Sequence, residues 1–291
     1  MRALEVVETG PLALVQDLGR PGYAHLGVPP SGALDVPALT LANRLAGNDE
    51  AAAGIECLFG GLRLRAKTSC TIAVTGPAVA VEVDGHAVGS HAPVWLAEGQ
   101  VVAIGAPING LRCYLAVSGG IAADAELGSR SRDVLSEIGP APLRAGDVLP
   151  LGTPPGVARG ADVVLPTVAP SELVVPVGPG PRAHWFEGLE AGLAKTWTVT
   201  AESNRVGLRL DGTPLAREGD YAEKELPSEG LLIGAIQVPP NGLPVVFLAD
   251  HPTTGGYPVA AVVRQASLPA LAQARPGTLL RFHSSTRVWK R

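Results

Sequence analysis

Between Ala52 and Gly156 short apolar runs return roughly every ten residues, each stopped by a turn signal, and this spacing limits the fold more than any other feature. Leu62-Arg63-Leu64-Arg65 alternates with period two, the pattern of a strand with one buried face. Thr71-Ile72-Ala73-Val74-Thr75-Gly76 and Ala80-Val81-Glu82-Val83-Asp84-Gly85 follow as strands, the second closed by an Asp-Gly hairpin turn. Val101-Val102-Ala103-Ile104 and Cys113-Tyr114-Leu115-Ala116-Val117 continue the series. Short strands at this spacing predict a β-sandwich or barrel. The 36 glycines and 27 prolines supply the turns such a fold needs and argue against long helices.

A few helices interrupt the pattern. Asp35 stands before Val36-Pro37-Ala38-Leu39, a side-chain cap with proline in the first turn, and Gly47-Asn48 supplies a stop. Trp185 to Lys195 places Phe186, Leu189 and Leu193 near one face of a short helix; Val259 to Val263 and Leu268 to Ala274 read as two more. Leu173–Val177, Trp197–Thr200, Leu231–Ile233, Val245–Leu248 and Leu279–Phe282 read as strands of a second β-rich region. The Pro/Gly-rich Gly152 to Gly160 has little apolar pattern and marks a boundary, giving domains 1–158 and 159–291.

Charge excludes several classes. The net charge is −4 with no basic stripe, so nucleic acid is not an expected partner. No apolar run reaches the ~20 residues of a membrane span. Glu5 and Glu8 fall where a signal peptide needs an apolar core, so a cytoplasmic protein is expected. Cys57, Cys70 and Cys113 are widely spaced and form no CxxC pair, which predicts buried thiols without a disulfide framework or zinc site. His86 and His91 straddle a turn and read as exposed.

Polar residues inside apolar runs point to a site between Ser203 and Pro258. Asn204, Arg205, Glu229, Gln237, Asp250 and Tyr257 lie there, with glycines beside several of them that permit close backbone approach. Burying such groups unpaired is costly, so gathering them around a cleft is the economical arrangement. Glu229 and Asp250 are the candidates for general base; Arg205 suits an anion, because its planar fork matches carboxylate and phosphate. Gln237 and Asn204 are candidates to orient a carbonyl. Asp17, Arg20, Asp35 and Asn43 of the N-terminal half are expected to contribute substrate-binding groups to the same cleft, Arg20 holding an anion with Arg205; Asp17 and Arg20 are also close enough to pair. Asp35 also reads as a helix cap, and Asn43 as part of a solvated helix face. Glu56, a lone acid between Ile55 and Cys57, requires a partner. Leu127-Gly128-Ser129-Arg130-Ser131 can hold an anion through backbone N–H groups and a guanidinium, although it is not a P-loop.

Seven short motifs occur in a fixed order. They are Gln16-Asp17-Leu18-Gly19-Arg20, Ser31-Gly32-Ala33-Leu34-Asp35, Asn43 with Gly47-Asn48, and Ala116 to Ile121 with Leu127 to Ser131. Ser203-Asn204-Arg205-Val206-Gly207, Ser228-Glu229-Gly230 with Gly234 to Gln237, and Thr254-Gly255-Gly256-Tyr257-Pro258 complete the set. Together the chain resembles the family that takes in the second subunit of allophanate hydrolase, KipA-like proteins and the C subunit of 5-oxoprolinase. The resemblance implies a mainly β protein of two cyclophilin-like β-barrel domains with a few short helices. It implies one component of an ATP-dependent 5-oxoprolinase that opens 5-oxoproline to glutamate. The partners would be a KipI-like B subunit and a LamB/YcsF-like A subunit, in a hetero-oligomer that handles ATP jointly. Two alternatives come with the family: a biotin-dependent carboxyltransferase component working on a urea-like amide, and a regulatory protein antagonising a histidine-kinase inhibitor. Val206 stands where many members have Met, and Gly139-Pro140-Ala141-Pro142 departs from the usual pattern.

Overall fold

The computed structural model describes residues 2–156, 165–166 and 170–284. The boundary read at 158/159 lies outside the described residues. They fall into two compact units, one within Met1–Arg20 and Ser31–Ala169, the other within Pro21–Pro30 and Pro170–Arg291.

The first unit carries strands β1 (Ala3–Thr9), β2 (Leu12–Gln16), β3 (Gly54–Leu58), β4 (Leu62–Ala66), β5 (Cys70–Thr75) and β6 (Val81–Val83). β7 (His86–Val88), β8 (Val94–Leu96), β9 (Val101–Ile104), β10 (Arg112–Val117) and β11 (Val148–Pro150) follow. One sheet has the order β11-β1-β4-β9-β6-β7 and the other β2-β3-β10-β5-β8. Leu4, Leu64 and Val81 of the first sheet share one buried core with Val15, Ile55 and Leu115 of the second. The period-two reading of β4 holds: Leu62 and Leu64 are buried, while Arg63 and Arg65 turn outward to Glu8 and Glu5, each at 3.2 Å.

β10 is buried along its whole length because its second face is covered too. The cover is helix α1 (Val36–Ala46), whose Ala42, Leu45 and Ala46 pack on Ala73 and Ala116. Its ends are as the sequence predicts. The Asp35 carboxylate accepts the Ala38 N–H at 3.1 Å, and Gly47 ends the helix with φ 81°. The three cysteines are free and buried, as expected, and Cys57 lies opposite Cys113 across β3 and β10. The thiol–thiol contact with Cys113 and burial raise the pKa of Cys57; burial pushes Cys70 up to about 11.

The second unit is a closed seven-stranded barrel. Its strands are β12 (Glu172–Pro179), β13 (Trp197–Val199), β14 (Gly207–Asp211), β16 (Ala235–Gln237), β17 (Val245–Phe247), β19 (Val259–Val263) and β20 (Leu279–Ser284). A separate two-stranded ladder joins β15 (Glu229–Gly230) to β18 (Thr254–Gly255). The barrel order is β12-β19-β16-β17-β14-β13-β20, closed by the parallel pairing of β20 with β12. Leu173, Val175 and Val177 alternate into its interior, as do Leu280 and Phe282. Each such fully buried side chain contributes about 1.5–3 kcal/mol. Two short helices, α2 (Leu189–Leu193) and α3 (Leu268–Ala272), fall inside the stretches read as helical.

Three readings are corrected. Val259–Val263 is a strand, not a helix: it pairs with β12 on one side and β16 on the other, which a five-residue apolar run cannot reveal by periodicity. Leu231–Ile233 is the connection between β15 and β16, not a strand. His91 is buried, not exposed like His86; its φ is 58° and its Nε2–H donates to Gly76 O at 3.0 Å. Burial lowers its pKa, with the Gly76 bond opposing. No helix of the described residues is long and apolar enough to cross a membrane.

Candidate functional site

In the first unit the polar candidates are engaged by the fold itself. Asp17 does not pair with Arg20. Its Oδ1 accepts from the Ser129 and Ser131 hydroxyls, both at 2.6 Å, and from Gly19 N at 2.8 Å. Its Oδ2 accepts from Arg130 N at 2.7 Å. The Ser129-Arg130-Ser131 loop therefore does hold an anion, and that anion is the chain's own Asp17. Arg20 is 1% exposed and donates to the carbonyls of Glu126 and Ser131; its Nη1 has no partner among the described residues.

Asp35 caps α1, and its N–H donates to Tyr114 Oη at 2.8 Å. Asn43 is fully buried, which corrects the solvated-face reading. Its amide donates to Ala52 O at 2.7 Å and Glu50 O at 3.2 Å, and its Oδ1 accepts from Asn48. It ties the helix end to the chain leading into β3. Glu56 has the partner its sequence context demands. Its Oε2 accepts from Tyr114 Oη at 2.8 Å and Leu34 N at 3.0 Å, and its Oε1 lies 3.5 Å from Arg112 Nε. Burial, then the Glu56 and Asp35 charges, raise the Tyr114 phenol well above its ordinary range.

In the second unit Arg205 and Asp250 face each other. The pair is two-pronged, Nε to Oδ2 at 2.8 Å and Nη2 to Oδ1 at 3.0 Å, and both side chains are buried. Both carboxylate oxygens of Asp250 are thus committed to a guanidinium. Asn204 is exposed and makes a local turn, its Oδ1 accepting from Val206 N at 2.8 Å and Gly207 N at 3.3 Å.

Gln237, Glu229 and Tyr257 come together around β18. Gln237 is buried at the end of β16 and donates through Nε2 to Tyr257 O at 2.8 Å. Gly255 sits against it: a Cβ there would lie 2.7 Å from Gln237 Nε2 and 2.9 Å from Leu231 Cδ1. Glu229 pairs with that same Gly255 across the two-stranded ladder. Tyr257 is half exposed at the edge. The glycines of this stretch therefore do permit close approach, here of a side-chain amide to backbone.

One residue was not among the sequence candidates. Arg182 follows the end of β12, in a Gly178-Pro179-Gly180-Pro181 run that reads as a plain turn. Its Nη2 bonds Glu229 Oε1, and both side chains are 31% exposed. Its guanidinium carbon lies 5.9 Å from the Trp185 ring centre, as does that of Arg217, and Lys224 Nζ lies 5.6 Å away. Trp185 in turn stacks on Tyr221, with ring centres 4.9 Å apart. The bonding of Arg182 to a distant carboxylate is a tertiary fact with no local sequence signal. A cavity of about 850 Å³ lies in the same unit, lined by residues including His184, Phe186, Leu189 and Glu218.

Comparison with known proteins places these features in a family context. The model of the family described as carboxyltransferase domain, subdomain A and B, matches residues 26–284. The C subunit of 5-oxoprolinase from Escherichia coli (strain K12) is 37% identical over 284 residues, covering 96% of this chain and 90% of that protein. Urea amidolyase of Lachancea kluyveri is 34% identical over 306 residues, covering 96% of this chain but 17% of that protein. The solved structure of TTHA0988 is similar at a TM-score of 0.88 and 35% identity, over 98% of this chain; the chain spans 56% of that one.

Proposed function

Since the chain belongs to the carboxyltransferase domain, subdomain A and B, family, we propose that it is the C subunit of an ATP-dependent 5-oxoprolinase. It would open 5-oxoproline to glutamate together with a KipI-like B subunit and a LamB/YcsF-like A subunit, in the cytoplasm. The observation that carries this reading is the extent of the match. The similarity takes in 90% of the 5-oxoprolinase C subunit, whereas it takes in 17% of urea amidolyase. ATP is assigned to the assembled complex, and no residue of this chain is assigned to it.

Opening a cyclic amide needs an oxygen nucleophile at the carbonyl carbon and a proton for the leaving nitrogen. In this reading Glu229 is the general base. It is partly exposed, and the one hydrogen-bond partner its carboxylate has among the described residues is Arg182. Asp250 is the poorer base, because both of its oxygens are held by Arg205. Gln237 orients the amide carbonyl and Tyr257 forms the rim, while Arg205 with Asp250 braces the segments that carry them. In the first unit Asp17, Asp35 and Asn43 hold structure, and the unpartnered Nη1 of Arg20 is the group there with capacity for an anion.

A second reading has its own support. The family description and the urea amidolyase match favour carboxyl transfer from biotin to a urea-like amide. One experiment separates the two. The three chains are co-expressed, purified together, and given 5-oxoproline with ATP; glutamate is quantified. Glutamate that requires this chain is the expected result. No glutamate from the full set, or equal glutamate when this chain is omitted, overturns the reading. Carboxylation of urea in the presence of a biotin carboxylase and carrier then selects the alternative.

A further inference from the structure

We propose that Arg182 is a carboxylate-binding site, and that a ligand carboxylate reaches it by displacing Glu229. The inference rests on the 5-oxoprolinase reading for its substrate, whose ring carries one free carboxylate. Its geometry stands on the second unit alone.

The guanidinium of Arg182 is only partly used. Glu229 takes Nη2 with one oxygen, while Nε is buried and has no partner among the described residues. A carboxylate that fits the Nε–Nη2 edge of an arginine makes two parallel hydrogen bonds, and this is the stronger geometry. Arg205 shows it in the same barrel, with Nε and Nη2 on the two oxygens of Asp250. Glu229 does not achieve it on Arg182. A ligand carboxylate on that edge satisfies the stranded Nε as well as Nη2.

Displacement is easy for a physical reason. Both members of the pair are 31% exposed, and exposed ion pairs hold weakly. The surroundings favour an added anion: Arg217 and Lys224 crowd the same indole, and neither has a carboxylate partner among the described residues. The exchange has a consequence for the reaction. Glu229, released from its cation, becomes available as a base beside Gln237 only once substrate has arrived. The ion pair thus works as a substrate-operated latch.

The test titrates L-5-oxoproline and its carboxamide into the reconstituted complex of all three chains by calorimetry without ATP. Arg182→Gln is expected to weaken 5-oxoproline binding about tenfold or more, the worth of a charge-assisted pair, and to leave carboxamide binding unchanged. Arg182→Lys keeps the charge without the fork and is expected to fall between. Glu229→Gln removes the competitor and is expected to tighten 5-oxoproline binding severalfold while glutamate formation falls. Unchanged affinity in Arg182→Gln, equal loss of acid and carboxamide, or no tightening in Glu229→Gln overturns the site. The two readings fail separately. A wild-type complex that makes no glutamate counts against the function, whereas an active complex indifferent to Arg182 counts against this site alone.

Discussion

Arg205–Asp250 and Arg182–Glu229 are two of the arginine–carboxylate pairs of the barrel unit, and they differ in almost every physical respect. Arg205–Asp250 is buried, two-pronged and closed, while Arg182–Glu229 is one-third exposed, single-pronged and leaves a nitrogen unused. A buried pair is strongly coupled to folding, because removing one partner strands the other charge in low dielectric. An exposed pair is weakly coupled and free to exchange partners. The same two residue types therefore make a closed, buried pair in one place and an open, partly exposed pair in the other. The difference comes from burial and from how many nitrogens are engaged.

The sharpest way to break this comparison is Asp250→Ala. It removes the carboxylate that both Nε and Nη2 of the buried Arg205 bond, and a loss of about 3–5 kcal/mol is expected in chemical denaturation. Glu229→Ala is expected to cost roughly 0–1 kcal/mol in the same assay. Equal losses would erase the distinction. The first unit offers a control of the closed kind. Asp17→Ala strands two serine hydroxyls and two amides, and a loss of roughly 3 kcal/mol is expected from the unpaired buried groups.

Gly255→Ala sharpens the comparison from the open side. The new methyl meets the Gln237 amide at 2.7 Å and Leu231 at 2.9 Å, so Gln237 must move. Stability should fall by about 1–3 kcal/mol, and turnover should fall much further than stability explains. Turnover that tracks stability alone would remove Gln237 from the site.

The smallest effect is a pH baseline set within the first unit. His91 is held neutral by burial, with its pKa lowered in the folded state. The unfolded chain therefore binds a proton first. Stability from this residue is fully present above about pH 6.5 and is lost as pH falls from there through the lower folded value. His91→Asn tolerates the left-handed backbone and is expected to flatten the pH dependence of unfolding below about pH 6.5. An unchanged slope would show that His91 is not the group responsible.

Local chemistry was legible in the sequence, and long-range partnership was legible only where it left a contradiction behind. The Asp35 cap, the Gly47 stop and the β4 alternation are decided within a few residues. Glu56 announced a partner because an acid in an apolar strand cannot stand alone, and Tyr114 and Arg112 supply it. Asn43 and His91 gave no such warning. The one is buried by bonds to the carbonyls of Glu50 and Ala52 beyond the helix end, and the other bonds back to Gly76 O fifteen residues earlier. Val259–Val263 needed neighbours on both sides to become a strand. Asp17 and the serine loop were both read as polar candidates, but their satisfaction of each other across more than a hundred residues required the fold. Arg182 had only its turn-forming neighbours to announce it, and its meaning depends on Glu229 meeting it.

The central claim is that Glu229 acts while Asp250 braces. The direct measurement is glutamate formation by the reconstituted complex carrying Glu229→Gln, with its thermal unfolding recorded on the same sample. The account predicts a melting temperature close to that of the unaltered complex, and glutamate formation reduced by about a hundredfold or more, the usual worth of a general base. Full activity in an assembled complex would contradict it, as would a melting temperature lowered as far as that of an Asp250 variant.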